Sequence, residues 1–166
     1  TNGQSLLKQL KHSLSKKPVA VTLSSAALWK TLKAWIDVLP SVSLSDTRFQ
    51  LVTVAPLPVN SPLKVLLNDV TPRSELLMLL QGEAQRVVEE HRAGRKEKKQ
   101  PLPHLDRISS CAAYLALDDT VREKLLSQIT IHPEASNINE IPNDIAKELK
   151  HFAPERRKAV TQKLME

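Results

Sequence analysis

The chain has 166 residues, of which 41% are hydrophobic and 25% are charged, and its formal net charge is +6. This composition is typical of a folded globular protein and excludes an intrinsically disordered chain. Aromatic residues make up only 3%, which argues against an OB-fold or an RNA-recognition sheet, because those folds stack bases on aromatic rings. The positive charge favours a polyanionic partner, although many basic proteins bind no nucleic acid.

The chain begins with Thr1 and ends at Glu166 inside the helical pattern "KAVTQKLME". We therefore expect a fragment of a longer protein. The single cysteine, Cys111, lies in the apolar segment "SSCAAYLAL", where we predict a small core residue in reducing surroundings. No apolar run has the length needed to cross a bilayer, and we expect a cytoplasmic protein.

The first predicted elements alternate between strand and helix. "LLKQLK" has the period-two pattern of a strand with one buried face. In "SAALWKTLKAWIDVLP" apolar residues recur at helical spacing until Pro40 ends the helix. "RFQLVTVAPLP" is predicted to be a buried central strand. "NSPLKVLLND" is predicted to be a helix with Ser61 as its cap and Pro62 at its first position. This order predicts an α/β fold, with helices packed on a sheet and a right-handed crossover between two parallel strands.

The second half of the chain is predicted to be mostly helical. "TPRSELLMLLQGEAQRVVEEHRAG" forms an apolar face and is predicted to end at Gly94, where a basic linker, "RAGRKEKKQPLP", begins. Four helical segments follow, interrupted by a short extended piece at 129–131: "LDRISSCAAYLALDD", "TVREKLLSQITI", "IPNDIAKELKHF" and "APERRKAVTQKLME". We therefore predict two parts, with residues 1–70 forming part of an α/β core and residues 71–166 forming a helical extension.

Gln9 and Lys11 are the candidate catalytic residues. They lie two positions apart in the first predicted strand, so their side chains should point to the same side. Metal-dependent phosphodiester hydrolysis needs an oxygen ligand that helps to hold Mg²⁺ on the phosphate, and a cation that positions water and balances charge. The backbone carbonyl of Leu10 can face the same metal. The alternative is that this pair is only the solvated face of an edge strand, with Lys8 on the opposite side.

Three segments in this order, "LKQLKHS", "LWKTLKAWID" and "FQLVTVA", resemble the PD-(D/E)xK nuclease fold, in the Q-x-K variant of Mrr-type restriction nucleases. More specifically, they resemble the double-stranded DNA endonuclease domain of bacterial antiphage defence systems. That domain occurs in effectors activated by cyclic oligonucleotides and in the nuclease subunit of Lamassu, or ABC-three-component, systems, which work with an SMC-like ATPase. The tail "IPNDIAKELKHFAPERRKAVTQKLME" is similar to a segment that follows the nuclease core in those proteins.

The resemblance implies a restriction-endonuclease-like core that hydrolyses double-stranded DNA with Mg²⁺ in antiphage or anti-plasmid defence. It implies that Gln9 is a metal-proximal ligand, that Leu10 contributes its carbonyl, and that Lys11 is the catalytic lysine. The family also needs an Asp on the preceding strand and often a Glu on an earlier helix. No acidic residue precedes Lys11 here, so we expect this chain alone to be inactive.

The implied partners are an SMC-like ATPase or other defence subunits, and a homo-oligomer is compatible with the sequence. The alternative function is a catalytically inactive interaction or scaffold module that binds partner subunits through its helical half.

Candidate DNA contacts lie in three places. His12 adjoins the proposed site, and Lys30 and Lys33 could border a DNA groove together with Trp29, although packing is the favoured role of both tryptophans. The segment "RAGRKEKK" carries five cations that either bind phosphates or belong to a solvated spacer; these are Arg92, Arg95, Lys96, Lys98 and Lys99. The other four histidines show no zinc-ligand spacing.

Overall fold

The computed structural model describes residues 5–11 and 18–134, and for Leu10 and Lys11 it describes the backbone alone. The described residues contain three strands: β1 (Ser5–Lys11), β2 (Thr47–Thr53) and β3 (Ile129–His132). This part of the chain also contains four α-helices: α1 (Ala26–Val38), α2 (Ser74–Lys96), α3 (Ile108–Leu115) and α4 (Asp119–Ser127). Two short 3₁₀ helices span Leu39–Ser41 and Pro62–Leu67.

The three strands form one parallel sheet in the order β1-β2-β3. The predicted central position of the "RFQLVTVAPLP" strand is confirmed, because β2 pairs with a strand on each side. The extended piece predicted at 129–131 is also confirmed as β3, which continues to His132 and pairs in parallel with β2. The sheet therefore joins a strand from the end of the described chain to strands from its beginning.

Side chains alternate between the two faces of the sheet, as the pleat requires. On β2 the odd-numbered residues are buried and the even-numbered residues are half-buried. The inner face, which carries Phe49 and Leu51, packs against the helices and the second 3₁₀ helix. Ile129 and Ile131 extend this face onto β3. The helices thus form one layer over the inner face.

The predicted helix around residues 25–39 is confirmed as α1, which ends where Pro40 enters a 3₁₀ turn. Trp29 and Trp35 are 0% and 4% exposed. Trp29 donates a hydrogen bond from Nε1 to the carbonyl oxygen of Leu23 at 2.7 Å and packs edge-on against Tyr114. Trp35 packs on Phe49. Packing is therefore the role of both tryptophans, and the hypothesis that Trp29 borders a DNA groove is wrong.

The helix predicted at "NSPLKVLLND" is a 3₁₀ helix. Ser61 caps it as predicted, since its Oγ accepts a hydrogen bond from the backbone N–H of Leu63 at 3.3 Å, and Pro62 is its first residue. Its apolar residues Leu63 and Leu66 are both buried, and Asn68, which follows it, is already extended.

The apolar face predicted for α2 is confirmed, with Leu76, Leu80, Ala84 and Val87 buried. The predicted end at Gly94 is wrong, because the helix continues to Lys96. Gly94 is itself buried, and the ring of Pro103 occupies the space that a side chain would need. The glycine therefore serves packing within the helix.

The described residues of both halves contribute to one hydrophobic core. Leu28 and Leu51 from the first half lie in it together with Leu80, Leu125 and Ile131 from the second. The structure is thus a mixed α/β fold with a small parallel sheet. The division at residue 70 stays a prediction, as does a restriction-like core. The predicted helical segments in 141–166 lie outside the described residues.

Within residues 5–11 and 18–134, no helix combines the length and apolar character that a membrane span requires.

Candidate functional site

Gln9, Leu10 and Lys11, which we call the Q-L-K segment, occupy the carboxyl-terminal end of β1. Gln9 lies in register with Leu51 of β2, and Lys11 lies in register with Thr53, the last residue of β2. Gln9 is half-buried and lies on the same face of β1 as Leu7, which packs against the core. Lys8 is exposed on the opposite face, as the sequence predicts. Gln9 is therefore not part of a freely solvated strand face.

A cleft of about 380 Å³ lies at this end of the sheet. It is bounded by the loop after β1, the amino-terminal turn of α1 and the loop after β2, and it is lined by Pro18, Val19, Ala20, Val21, Ser25, Ala26, Ala27, Thr53, Val54 and Ala55. Thr53, which is in register with Lys11, lies in its wall. In open parallel sheets, ligands bind outside the carboxyl ends of the strands. The candidate site is thus this cleft together with the end of β1.

Local hydrogen bonds fix the walls of the cleft. The backbone N–H of Val21 donates to the carbonyl oxygen of Pro56 at 3.0 Å, which ties the loop after β1 to the loop after β2. The hydroxyl of Thr53 accepts a hydrogen bond from the N–H of Ala55 at 3.1 Å. Ser25 precedes α1 and accepts a hydrogen bond on its Oγ from the N–H of Thr22 at 2.8 Å. These bonds position two hydroxyl groups in an otherwise largely apolar cleft.

The described residues do not fit a magnesium site at this position. Mg²⁺ prefers carboxylate oxygens, and the lining of the cleft contains no Asp or Glu. No cluster of three or more His, Cys, Asp or Glu side chains suited to a metal occurs among residues 5–9 and 18–134. Asp37 is bound to Lys33 on α1 at 2.7 Å, and Asp46 accepts from Ser43 at the amino end of β2. A metal site here therefore needs ligands from other residues.

The candidate DNA contacts are distributed over separate elements. Lys30 is exposed on α1, whereas Lys33 is held by its ion pair with Asp37. His12 lies outside the described residues.

The basic cluster, residues 92–99, is predicted to be a linker. Its first half belongs to a helix instead, because Arg92, Arg95 and Lys96 lie on the last turns of α2. Lys98 and Lys99 follow in a turn closed by hydrogen bonds to the carbonyl oxygens of Arg95 and Gly94. The hydrogen bond from Lys99 to Glu97 raises the pKa of the lysine. All five cations are exposed. None of the five cations lines the cleft at the end of β1 and β2.

The segment after α2 folds back along the helix through two histidines. Nδ1 of His91 lies 2.7 Å from the carbonyl oxygen of Pro103, and Nε2 of His104 lies 2.6 Å from a carboxylate oxygen of Glu90. Both imidazoles thus hold this segment to the last turns of α2. The sequence pattern gave no signal for these contacts, because they join residues more than ten positions apart.

Two arginines that the sequence did not indicate have structural roles; Arg122 is buried and Arg73 is half-buried. Arg122 is 7% exposed, forms an ion pair with Asp119 and donates to the carbonyl oxygen of Leu115 at 3.2 Å. Arg73 donates to the carbonyl oxygens of Leu126 and of Asn68, the latter at 2.9 Å. Burial lowers the pKa of Arg73. Arg73 also lines a cavity of about 460 Å³ between the start of α2 and the end of α4.

The second face of the sheet carries a groove of about 400 Å³. Three strands and the segment after the second 3₁₀ helix contribute to it, and its lining consists of Leu6, Arg48, Gln50, Leu67, Asn68, Asp69, Thr130 and His132. The sequence did not predict this groove, because nothing in the pattern of 129–131 places β3 beside β2.

No protein-family model matches the chain, and no curated protein or solved structure matches it either.

Proposed function

We propose that the chain belongs to a magnesium-dependent endonuclease that hydrolyses double-stranded DNA, with the cleft at the carboxyl end of β1 and β2 as part of its active site. In this proposal Lys11 orients the attacking water and stabilises charge on the phosphate, while Gln9 contributes a polar ligand. A role in bacterial antiphage or anti-plasmid defence, with an SMC-like ATPase or another defence subunit as partner, is part of the same proposal.

The observation that supports the proposal is the parallel register of β1 and β2. It places the Q-L-K segment at the end of the sheet where α/β folds bind ligands, beside a cleft next to the amino-terminal turn of α1. The half-buried position of Gln9 supports a role other than that of a solvated surface residue. The resemblance of the Q-L-K segment, the following helix and the apolar strand to restriction-like nucleases supports the same reaction.

The proposal requires carboxylates that the described residues do not provide. It assigns no reaction step to the metal itself. The net charge of +6 favours binding of the DNA backbone, and that binding should weaken as the salt concentration rises.

The test is cleavage of supercoiled and linear double-stranded DNA by the longest natural form of the protein, with Mg²⁺ and with any partner subunit encoded beside it. We expect Lys11→Ala to lower the cleavage rate by about 100-fold or more, the usual cost of removing one charge-stabilising group from an active site. Lys8→Ala is the matched control, because Lys8 lies on the same strand and is exposed on the opposite face. It should change the rate by less than about twofold.

Equal melting temperatures of the two variants establish that any difference in cleavage arises at the site. Equal cleavage by wild type and Lys11→Ala would contradict the assignment of Lys11. An absence of cleavage under every condition would contradict the nuclease proposal as a whole.

The second candidate function is an interaction module without catalytic activity. It is favoured by the lack of carboxylates at the cleft and by exposed apolar side chains on α2, where Met78 is 67% and Leu79 is 39% exposed. On this hypothesis the helical half binds a partner subunit, and Met78→Glu weakens that binding while DNA stays uncut. Retained binding by Met78→Glu, together with cleavage that depends on Lys11, argues for the nuclease.

A further inference from the structure

The cavity of about 460 Å³ between the start of α2 and the end of α4 has the size of a small-molecule binding site. Its walls combine apolar side chains with charged groups of both signs. Leu77 and Leu126 provide apolar surface, and Arg73, Asp69 and Glu123 provide the charges. This composition suits a small ligand that carries charges as well as an apolar group.

Arg73 is the cation of this cavity. Although the residue as a whole is half-buried, its side chain is only 9% exposed. The carbonyl oxygens of Leu126 and Asn68 accept hydrogen bonds from the guanidinium and hold it in place. A guanidinium carries more N–H groups than these two bonds use, so Arg73 retains donors for a ligand. Its planar geometry is suited to a carboxylate.

The two helices present opposite ends to the cavity. Ser74, the first residue of α2, lines it, and so does Ser127, the last residue of α4. A helix carries partial positive charge at its amino end and partial negative charge at its carboxyl end. One side of the cavity therefore favours an anionic group, and the other side favours a cationic group.

Two carboxylates add to the negative charge of the cavity. Glu123 lies on α4 and Asp69 lies on the segment before α2, and both are exposed. Oδ1 of Asp69 lies 3.7 Å from Nη2 of Arg73, which is longer than a hydrogen bond. A simple anion would be repelled by the two carboxylates, and a simple cation would be repelled by Arg73. A zwitterion finds a partner for each of its charges.

We propose that this cavity binds a free α-amino acid with an apolar side chain. Arg73, beside the first turn of α2, binds the carboxylate of the ligand. Glu123 and Asp69 bind its ammonium group, and its side chain packs on Leu77 and Leu126. This proposal does not depend on the nuclease proposal, because the cavity shares no lining residue with the cleft beside Thr53.

The test is calorimetric titration of the full 166-residue chain with L-leucine and with two analogues that each lack one of its charges. Isocaproate lacks the ammonium group, and isoamylamine lacks the carboxylate. We expect each analogue to bind about tenfold or more weakly than leucine, because it leaves a charged group of the cavity without its partner.

Glu123→Gln distinguishes recognition of a zwitterion from binding of a simple anion. It should weaken leucine binding by roughly threefold, the effect of losing an exposed ion pair, whereas isocaproate should bind equally well or more tightly. Glu89→Gln is the matched control and should change neither affinity, because Glu89 is exposed on α2 and does not line the cavity. Arg73 is less suitable for substitution, since it also holds α4 to the segment before α2.

A second variant tests the location of the ligand. Ser127→Trp introduces an indole at the exposed end of α4, where the ring can fill the cavity. It should abolish leucine binding, and an unchanged melting temperature without leucine establishes that the fold is intact.

Several outcomes would overturn the proposal. Equal affinities for leucine and isocaproate mean that the cavity is an anion site, and equal affinities for leucine and isoamylamine mean that it is a cation site. An unchanged leucine affinity in Glu123→Gln or in Ser127→Trp means that leucine binds elsewhere. An absence of binding at about 10 mM leucine, which would fill most of a site with a Kd of about 1 mM, means that the cavity does not take this ligand.

Discussion

At the scale of single residues, Gly94 has the clearest packing role. It lies inside α2, and a Cβ at this position would meet the ring of Pro103 at 2.6 Å from Cδ and 2.9 Å from Cγ. The absence of a side chain lets the segment after α2 approach the helix closely. His91 and His104 hold the same segment in place, so the ring cannot move away freely.

Gly94→Ala should therefore lower the free energy of unfolding by about 1–3 kcal/mol, the usual range for overpacking. Gly82 is the matched control in the same helix, because a Cβ there would meet nothing within 4 Å. Gly82→Ala should raise the free energy of unfolding by about 0.5–1 kcal/mol through the better helix propensity of alanine. Denaturant unfolding measures both changes, and equal effects of the two substitutions would contradict the packing role.

At the scale of elements, α2 is bound to the segment after it by a chain of hydrogen-bonded polar side chains. Arg86 donates to both carboxylate oxygens of Glu83 at 2.8 and 2.7 Å and to Glu90 at 2.8 Å. Glu90 in turn lies 2.6 Å from His104. The hydrogen bonds from Arg86 are the main cause of a pKa of Glu83 below its usual value. The pKa of Glu90 is lowered first by His104 and then by Arg86.

A lowered carboxylate pKa stabilises the folded state at pH values above the pKa of the unfolded state, and this stabilisation disappears as the pH falls through the folded-state pKa. Glu83→Gln removes that contribution. The wild type should therefore lose more stability than Glu83→Gln between about pH 5 and about pH 3. Thermal unfolding at several pH values measures the difference.

Glu89→Gln is the control for this series, since Glu89 is exposed on the same helix and forms no ion pair among the described residues. It should retain the pH dependence of the wild type. If the stability of Glu83→Gln falls with decreasing pH as steeply as that of the wild type, the pairing of Glu83 with Arg86 does not contribute to stability in acid.

The elements that the sequence predicts well are those with a strong period. In α1 and α2 the apolar spacing is regular over several turns, and β2 combines β-branched residues with alternating burial. The end of α2 is not predictable in the same way. A glycine near a helix end usually indicates a stop, and only the contact with Pro103, nine residues away in the chain, shows that Gly94 lies inside the helix.

At the scale of the whole molecule, β3 and the helices of the second half complete a sheet and a core that begin in the first half. Ile131 is 1% exposed and lies in register with Leu51. We therefore expect residues 18–134 to unfold in one cooperative transition. Both tryptophans lie on α1, so their fluorescence reports the unfolding of the first half of the chain.

Ile131→Ala should shift the unfolding midpoint seen by tryptophan fluorescence, at a cost of about 2–5 kcal/mol, because it leaves a cavity in the shared core. Lys124→Ala, on the exposed side of α4, should change stability by less than about 0.5 kcal/mol. An unchanged tryptophan midpoint with Ile131→Ala would support independent units divided near residue 70.

The sequence locates the candidate site only in part. The period of "LLKQLK" places Gln9 on a strand, and the apolar strand after α1 is correctly predicted as its partner. The cleft beside Thr53 depends on how two distant loops meet, which a local pattern does not contain. For Trp29 the sequence favours packing but does not identify the partner, which is the ring of Tyr114 on α3.

The position of β2 at the centre of the sheet also affects synthesis of the chain. One edge of β2 pairs with β1, which is already made, but the other edge pairs with residues 129–132. During translation this second edge stays without its partner until most of the described chain has left the ribosome. An unpaired edge of an apolar strand is a template for pairing with other chains. Premature termination between β2 and β3 would therefore yield a product prone to aggregate through β2.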